Sequence, residues 1–448
     1  MNKRKKILII TYYYKHKNAM ASVRAIKLAK YFSKAGFDVT VLTSNQKDTW
    51  TQNYLEPVED PNIEEIYAPE IGRWTKIKNY LDKRKKKGLE KKNTNDFNLK
   101  LNGIQKKISN NSFKIRLKKY LSWQFYFNIA KQEDICMFKG LKSTFKCKLD
   151  KKFDVVIATY PTYGAFLMGM WLKRKGYCKQ LIADFRDPLY NPGFRDRKEE
   201  ALYDFKCLQR ILKITDQVVC VSKGIADGIK NEIPNFTKPL HIITNGYDLD
   251  DISSNECNIS FEKNKINFVY TGTLYHGKRC VNMLASVLKE LIQEGKIKKD
   301  SFKFQYAGPD FSELINQLYE YGLENTAINN GFVSREKAIA MQKAADALLL
   351  LTWNEKGYQG VVPGKLFEYM SIKGVPIIAL VTGDVINSEV ATLIRNTHTG
   401  CVCEQVSKKD RDTLKEYVEA LFDHKILWNG NVEQFDYKII SQKYLAIM

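Results

Sequence analysis

The stretch VVPGKLFEYMSIKGVPIIAL runs from Val361 to Leu380 and combines a short helix with a buried strand. Pro363 suits the first turn of a helix, because its φ is preset and its missing N–H needs no partner there. Gly374 follows as a stop signal. The run VPIIAL is typical of a strand that is buried on both faces of a parallel sheet. The stretch therefore predicts one helix–strand unit of an α/β fold.

The same alternation extends over the second half of the chain. Predicted strands are INFVYTGTL (266–274), FKFQYAGP (302–309), TAINNGFV (326–333) and ALLLLT (347–352), and predicted helices are VNMLASVLKEL (281–291) and FSELINQLYEYG (311–322). Strands that alternate with helices of this length indicate a parallel, doubly wound sheet.

The first half repeats the pattern. Its predicted strands are KILIITYY (6–13), FDVTVLTS (37–44), FDVVIATY (153–160), QLIADFRD (180–187), DQVVCVS (216–222) and LHIITNGYD (240–248), with a helix at 20–36. The polar stretch 250–265 reads as a linker. We therefore predict two Rossmann-like domains facing a cleft, 1–249 and 266–428, with a helix in 429–448 that crosses back to the first domain. Ligands should bind at the carboxyl ends of the strands.

The formal net charge of the 448 residues is +22, which favours an anionic partner. Residues 73–152 form a basic insertion with 24 Lys+Arg against 6 Asp+Glu. Aromatic residues are interleaved there, as in FKIRLKKYLSWQFYFNIAK (113–131), which can form a basic amphipathic helix. Such a helix suits an anionic membrane surface, but a solvated insertion explains the charge equally well. Nucleic acid is a weaker alternative, because no recognition module accompanies the charge.

The nine cysteines show no metal-ligand spacing and are interpreted as reduced thiols of a cytosolic protein. The start MNKRKKILIITYYY is interpreted as a strand, because its apolar run is too short for a signal peptide. The apolar run GAFLMGMWL (164–172) is far below the ~20 residues that span a bilayer. Any membrane association is thus expected to be peripheral, at the inner face of the membrane.

Four loops at predicted strand ends carry candidate ligand-binding residues. They are YTGTLYHGKR (270–279), YAGPD (306–310), NNGFV (329–333) and VVPGKLFEYM (361–370). A glycine turn followed by basic residues lets a phosphate approach the backbone. In the last loop, Gly364 allows close approach, Lys365 adds positive charge, and Glu368 lies one turn further on to accept hydroxyl groups. Candidate residues for binding a phosphorylated ligand are Gly272, Thr273, Lys278, Arg279, Gly331, Val333, Gly364, Lys365 and Glu368.

The order and spacing of these loops resemble the second domain of GT-B glycosyltransferases of group 1, or family 4. The resemblance implies that this domain holds a nucleotide-sugar donor. It implies that Lys278 contacts the diphosphate, that the segment at Gly331 and Val333 binds the base, and that Glu368 binds the ribose. Retention of anomeric configuration is also implied.

Two positions depart from the family pattern. The first of the family's two glutamates would fall at Gly360, and a frequent arginine would fall at Thr273. A subset of the family that acts on lipid-linked acceptors in bacterial surface polysaccharide synthesis has a P-x-K-x-x-E segment instead, and PGKLFE (363–368) is similar to it. In that case Lys365 supplies a second basic contact to the diphosphate.

The acceptor side is expected at ADFRDP (183–188) in the first domain. Asp184 and Asp187 are candidate catalytic carboxylates that could orient or deprotonate an acceptor hydroxyl. An ion pair with Arg186 that closes the strand end is an equal alternative. Further acceptor-side candidates are His16, Arg24 and Arg186. We expect no metal and no cofactor, because such enzymes stabilise the departing nucleotide with basic side chains and helix dipoles.

Other function classes fit the sequence less well. A sugar-nucleotide epimerase of the same fold would need no lipid acceptor and no basic insertion. A dinucleotide-dependent dehydrogenase is disfavoured, because no G-x-G-x-x-G follows either domain's first strand.

Overall fold

The computed structural model describes residues 4–15, 20–45, 60–72, 112–190, 197–253, 259–275, 277–356 and 360–448. Within these ranges the chain forms two α/β domains, each built on one sheet of parallel strands. This architecture confirms the predicted fold class of two doubly wound parallel-sheet domains. Helices cover the sheets, which explains why their central strands are apolar at nearly every position.

The first sheet has seven strands among the described residues, in the order β3-β2-β1-β4-β5-β6-β7. The order reverses between β1 and β4, so a crevice opens beyond the carboxyl ends of these strands. The strands are β1 Lys6–Thr11, β2 Asp38–Ser44, β3 Ile63–Ala68, β4 Phe153–Tyr160, β5 Cys178–Phe185, β6 Gln217–Cys220 and β7 Leu240–Ile242.

The helices of the first domain are Met20–Lys34, Ser112–Lys148, Tyr163–Arg174, Lys198–Ile214 and Lys223–Glu232. The predicted basic helix within 113–131 is part of a longer helix, Ser112–Lys148. Its later turns bury Met137, Leu141 and Phe145 in the core of the first domain. The insertion is therefore anchored to this domain through its carboxyl-terminal half.

Strand β3 was not predicted from the sequence. Its residues IEEIYA include two glutamates, and its burial alternates because it lies at the edge of the sheet. An edge strand has a partner on one side only, so its sequence need not be apolar throughout.

The second sheet repeats the arrangement with six described strands in the order β10-β9-β8-β11-β12-β13. The strands are β8 Ile266–Thr271, β9 Phe302–Ala307, β10 Ala327–Asn329, β11 Ala347–Trp353, β12 Ile377–Thr382 and β13 Gly400–Glu404. The helices are Asn282–Gln293, Phe311–Tyr319, Arg335–Lys343, Gly364–Met370, Glu389–Thr397 and Lys408–Phe422.

Two segments join the domains. A helical turn, Asp250–Ser253, begins the polar stretch between them. After the second domain, the helix Tyr437–Leu445 packs against the first, where Tyr437, Ile440 and Tyr444 share a core with strand β1. None of the described helices is long and apolar enough to cross a membrane.

Candidate donor and acceptor site

The glycine turn after β8 and the helix Gly364–Met370 meet at Lys365. Gly272 has a φ of +142°, and a Cβ atom there would overlap the Lys365 Nζ. The amine also lies 5.0 Å from the centre of the Tyr270 ring. Loops separated along the sequence thus bring the predicted turn and the predicted lysine into direct contact. Glycine suits this position because of its positive φ, and any side chain here would also displace the amine.

Burial lowers the pKa of Lys365 to about 8, Glu368 raises it, and Arg279 lowers it further. The protein environment therefore disfavours the charged amine in the absence of a nearby anion. An anionic group placed against the Gly272 turn would favour the charged form.

Glu368 lies one turn after Gly364 and is held by two residues of the helix Arg335–Lys343. Its Oε1 accepts a hydrogen bond from Gln342 Nε2 at 2.8 Å, and its Oε2 lies 3.4 Å from Arg335 Nη1. Neither partner was predicted from the sequence, because both lie within a helix and not in a strand-end loop. The available signal was that Arg335 and Gln342 lie two turns apart on the helix, on the face of buried Ile339.

Lys278 and Arg279 differ in their surroundings. Lys278 is half exposed, with its Nζ 3.7 Å from Glu355 Oε2. Arg279 instead packs inside the loop, with its guanidinium 4.5 Å from the Tyr275 ring centre and its Nη1 donating to the Thr273 carbonyl at 3.2 Å. Lys278 is thus the more accessible of the two cations.

The turn after β10 presents Gly331 with a φ of +66°, and its N–H donates to Asn329 Oδ1 at 2.9 Å. Val333 packs on the second-domain core. Between them Phe332 is 85% exposed, a feature that sequence reasoning did not single out. A large exposed ring at a strand end offers a stacking surface to a flat ligand.

Asp184 lies in a buried ion pair with Arg24. The Arg24 Nε and Nη2 atoms each lie 3.1 Å from an Asp184 oxygen, and Tyr444 Oη donates to Asp184 Oδ1 at 2.7 Å. Asp184 is 1% exposed and Arg24 is 2% exposed. This geometry favours a structural role for both residues, and the partner of Asp184 is Arg24 rather than the expected Arg186.

Arg186 and Asp187 continue the same loop. Arg186 donates to the main-chain carbonyls of Tyr160, Pro161 and Ala21, and burial lowers its pKa. Asp187 is accessible to solvent, and partial desolvation by the surrounding protein raises its pKa while Arg186 lowers it. Of the two candidate carboxylates, Asp187 is therefore the one that a ligand could reach. His16 lies outside the described residues.

At Gly360, where the family's first glutamate would fall, the second domain touches the first. Gly360 has a φ of +83°, and a Cβ there would lie 2.7 Å from Gly224 Cα. Beside this contact, Glu389 accepts hydrogen bonds from the N–H groups of Lys223 (2.6 Å) and Gly224 (3.1 Å) at the start of helix Lys223–Glu232. The missing glutamate thus has a steric explanation.

We predict that Gly360→Ala lowers the free energy of unfolding by about 1–3 kcal/mol, because the methyl group meets main-chain atoms that cannot move aside easily. Gly374→Ala is the matched control, since Gly374 also has a positive φ, +92°, but nothing lies within 4 Å of an added Cβ. Urea unfolding of both variants measures the difference. Equal losses would show that backbone strain alone is responsible.

Neither the family models nor the curated sequences searched contain a match to the chain. Among solved structures, sucrose-phosphate synthase from Thermosynechococcus elongatus has a TM-score of 0.56 at 12% identity, covering 99% of this chain and 98% of that one. The chain has the GT-B fold. That fold is shared with the lipopolysaccharide outer core galactosyltransferase WaaB, with a TM-score of 0.54 at 14% identity and 98% coverage of both chains.

The same GT-B fold occurs outside the transferases. A protein from Listeria monocytogenes assigned to the UDP-N-acetylglucosamine 2-epimerases has a TM-score of 0.52 at 10% identity, covering 99% of this chain and 95% of that one. At these identities the similarity shows the fold alone, so the activity has to be argued from the site.

Proposed function

We propose that this protein is a glycosyltransferase that moves a sugar from a UDP- or GDP-type nucleotide sugar to a lipid-linked or glycan acceptor in cell-surface polysaccharide biosynthesis. The observation that carries the proposal is the convergence of Gly272, Lys365 and Glu368 on one edge of the second sheet. A glycine turn admits a diphosphate, a partly buried lysine neutralises it, and a carboxylate accepts sugar hydroxyls. The GT-B neighbours that are transferases support the same reading.

In the proposed reaction, the bond between the anomeric carbon and the diphosphate oxygen breaks, and its electron pair stays on the diphosphate. Lys365 and Lys278 stabilise the charge that develops there without a metal ion. The acceptor hydroxyl oxygen bonds to the anomeric carbon with retention of configuration, and its proton passes to a base. Asp187 is the proposed base on the acceptor side, because it is accessible and its raised pKa favours proton uptake.

The donor assignment is tested by calorimetry with UDP, GDP and a panel of their sugar derivatives, without added metal. We expect Glu368→Gln to weaken binding of the preferred nucleotide by about 1–3 kcal/mol, since the ribose hydroxyls lose a charged acceptor. Glu416→Gln, an exposed site in the same domain, is the control. Unchanged affinity in Glu368→Gln would remove the ribose assignment.

An epimerase is the second candidate, favoured by the Listeria monocytogenes neighbour. The two activities give different products from the same donor. An epimerase changes the configuration of the sugar while the nucleotide stays attached, whereas a transferase releases the nucleoside diphosphate. Product analysis after incubation with each nucleotide sugar distinguishes them.

We also propose that the enzyme acts in the cytoplasm at an anionic membrane surface, which its basic insertion contacts. Each basic residue near such a surface contributes roughly 1 kcal/mol. We expect binding to liposomes to rise with anionic lipid content and to fall with salt. The aromatic residues Trp123, Phe125, Tyr126 and Phe127 would add anchoring, but their side chains lie outside the described part of the chain.

A matched pair of variants tests this proposal. Replacing Lys118 and Lys119 with Glu should reduce liposome affinity by at least about tenfold, because two charges are reversed. Replacing the adjacent pair Lys408 and Lys409, which is exposed in the second domain, should change it little. Co-sedimentation measures both. Equal losses from the two pairs, or equal binding of the unmodified protein to neutral and anionic liposomes, would contradict the proposal.

A further inference from the structure

Arg335 lies between two carboxylates that belong to different parts of the molecule. Its Nη1 is 3.4 Å from Glu368 Oε2, and its Nη2 is 3.9 Å from Asp251 Oδ2. Asp251 belongs to the turn between the domains, whereas Glu368 belongs to the proposed donor site. The Arg335 side chain is 10% exposed, so its charge acts in a sheltered environment where electrostatic interactions are strong.

The charges continue into the first domain. Lys27, on the helix Met20–Lys34, forms ion pairs with Asp251 and with Asp248, the latter at 2.8 Å. An unbroken line of alternating charge therefore runs from Lys27 through Asp251 and Arg335 to Glu368. A small cavity at the junction of the domains is lined by Asp251, Arg335 and Glu368. Val23 of the first domain and Ser371 of the second also line it.

The distances indicate that Asp251 and Glu368 share the Arg335 guanidinium. Tight charge-assisted hydrogen bonds measure about 2.7–2.9 Å, and both Arg335 contacts are longer. A small shift would thus strengthen one contact and weaken the other. If Asp251 lost its charge, Arg335 would move fully to Glu368 and occupy oxygens that a ligand hydroxyl would otherwise use.

We propose that Arg335 is a positioning residue, which orients Glu368 for the donor and couples donor binding to the junction between the domains through Asp251. The inference rests on the proposed donor role of Glu368. It adds a residue that acts through that carboxylate and a link to the first domain. Coupling of this kind is reciprocal, so the ion pairs of Asp251 should respond to donor binding as well.

The test is a double-mutant cycle read by calorimetry with UDP and GDP on the full chain. Arg335→Gln should weaken binding of the preferred nucleotide about tenfold, and Arg335→Lys should recover at least threefold of that loss. Asp251→Asn should weaken binding at least threefold when Arg335 is present. In the Arg335→Gln background, Asp251→Asn should have no further effect, because the shared guanidinium is gone.

Lys34→Met is the control, since Lys34 lies on the same helix as Lys27 but is 59% exposed and pairs with Asp250. Thermal unfolding is followed for each variant. If Arg335→Gln does not fold, Arg335→Lys takes its place in the cycle. The loss of nucleotide affinity caused by Asp251→Asn should then be smaller in the Arg335→Lys background than in the unmodified protein.

Four outcomes would overturn the inference. Unweakened binding in Arg335→Gln removes the positioning role. A change below twofold in Asp251→Asn, or an equal change with and without Arg335, removes the coupling. If the unmodified chain binds no nucleotide, the proposed function is wrong and the role of Arg335 is wrong with it. If the unmodified chain binds a nucleotide and the variants bind it equally well, only this inference is wrong.

Discussion

Replacing Asp184 with Asn is expected to lower the free energy of unfolding by about 3–5 kcal/mol, because it leaves the Arg24 guanidinium buried without a counter-ion. Arg24 retains the carbonyls of Ile243 (2.8 Å) and Thr244 (2.7 Å), but neither neutralises its charge. The substitution also turns one acceptor oxygen into a donor in a site that is already crowded with donors. Urea unfolding measures the loss.

Asp187→Asn is the control for this experiment. The same substitution three residues later falls on an accessible side chain, so its effect on stability should stay within about 0.5 kcal/mol. We expect it to reduce transfer while nucleotide binding is retained. If Asp184→Asn unfolded like the unmodified protein yet lost transfer, Asp184 would be a catalytic group and the structural role would be wrong.

Lys365→Met should produce opposite effects on activity and stability. Turnover should fall by about a hundredfold or more, because the departing diphosphate loses a sheltered cation. Stability should rise by about 1–3 kcal/mol, because the pKa of about 8 shows that the folded protein disfavours the charged amine. Lys373→Met, 54% exposed just after the same helix, should change neither.

The pH dependence of stability gives a second measurement. Between about pH 8 and the ordinary lysine pKa near 10.4, the unfolded chain binds a proton that folded Lys365 has released. The contribution of Lys365 to the free energy of unfolding should therefore rise with pH through this range, whereas buried cysteines such as Cys178 and Cys401, whose pKa burial raises, contribute a fall. The rise attributable to Lys365 should be absent in Lys365→Met. If Lys365→Met kept both the turnover and the pH dependence of stability of the unmodified protein, the diphosphate would have to bind elsewhere.

The central strands could be predicted because their burial on both faces leaves an uninterrupted apolar run, as in β4 and β11. The sequence also predicted the short helix that carries Lys365 and Glu368, since Pro363 and Gly364 mark its start. It could not show that Lys365 meets Gly272, because that contact joins loops of different βα units. Only the folded chain determines which of several nearby cations is sheltered.

The partners of the site residues could not be predicted for a related reason. Asp184 and Arg24 are 160 positions apart, and Tyr444 is 260 positions beyond Asp184. A nearer cation, Arg186, was the natural expectation from the local sequence. Likewise, the sequence alone shows Gly360 only as the absence of a glutamate. The structure shows that a side chain at this position would meet the main chain of Gly224. Packing between distant segments determines the partner of Asp184 and the need for glycine at position 360, so neither can be predicted from the local sequence.

The helix Tyr437–Leu445 has a consequence for the order in which the protein folds during translation. Its buried side chains complete the core of the first domain, yet the ribosome makes them after the whole second domain. At about 5–20 residues per second, the nascent first domain must wait on the order of ten seconds or more for this helix. During that interval Arg24 lacks the hydroxyl of Tyr444, and apolar surface of the first domain stays uncovered. The second domain, although synthesised later, can therefore finish folding first, and the nascent chain should be a substrate for chaperones until its last helix docks.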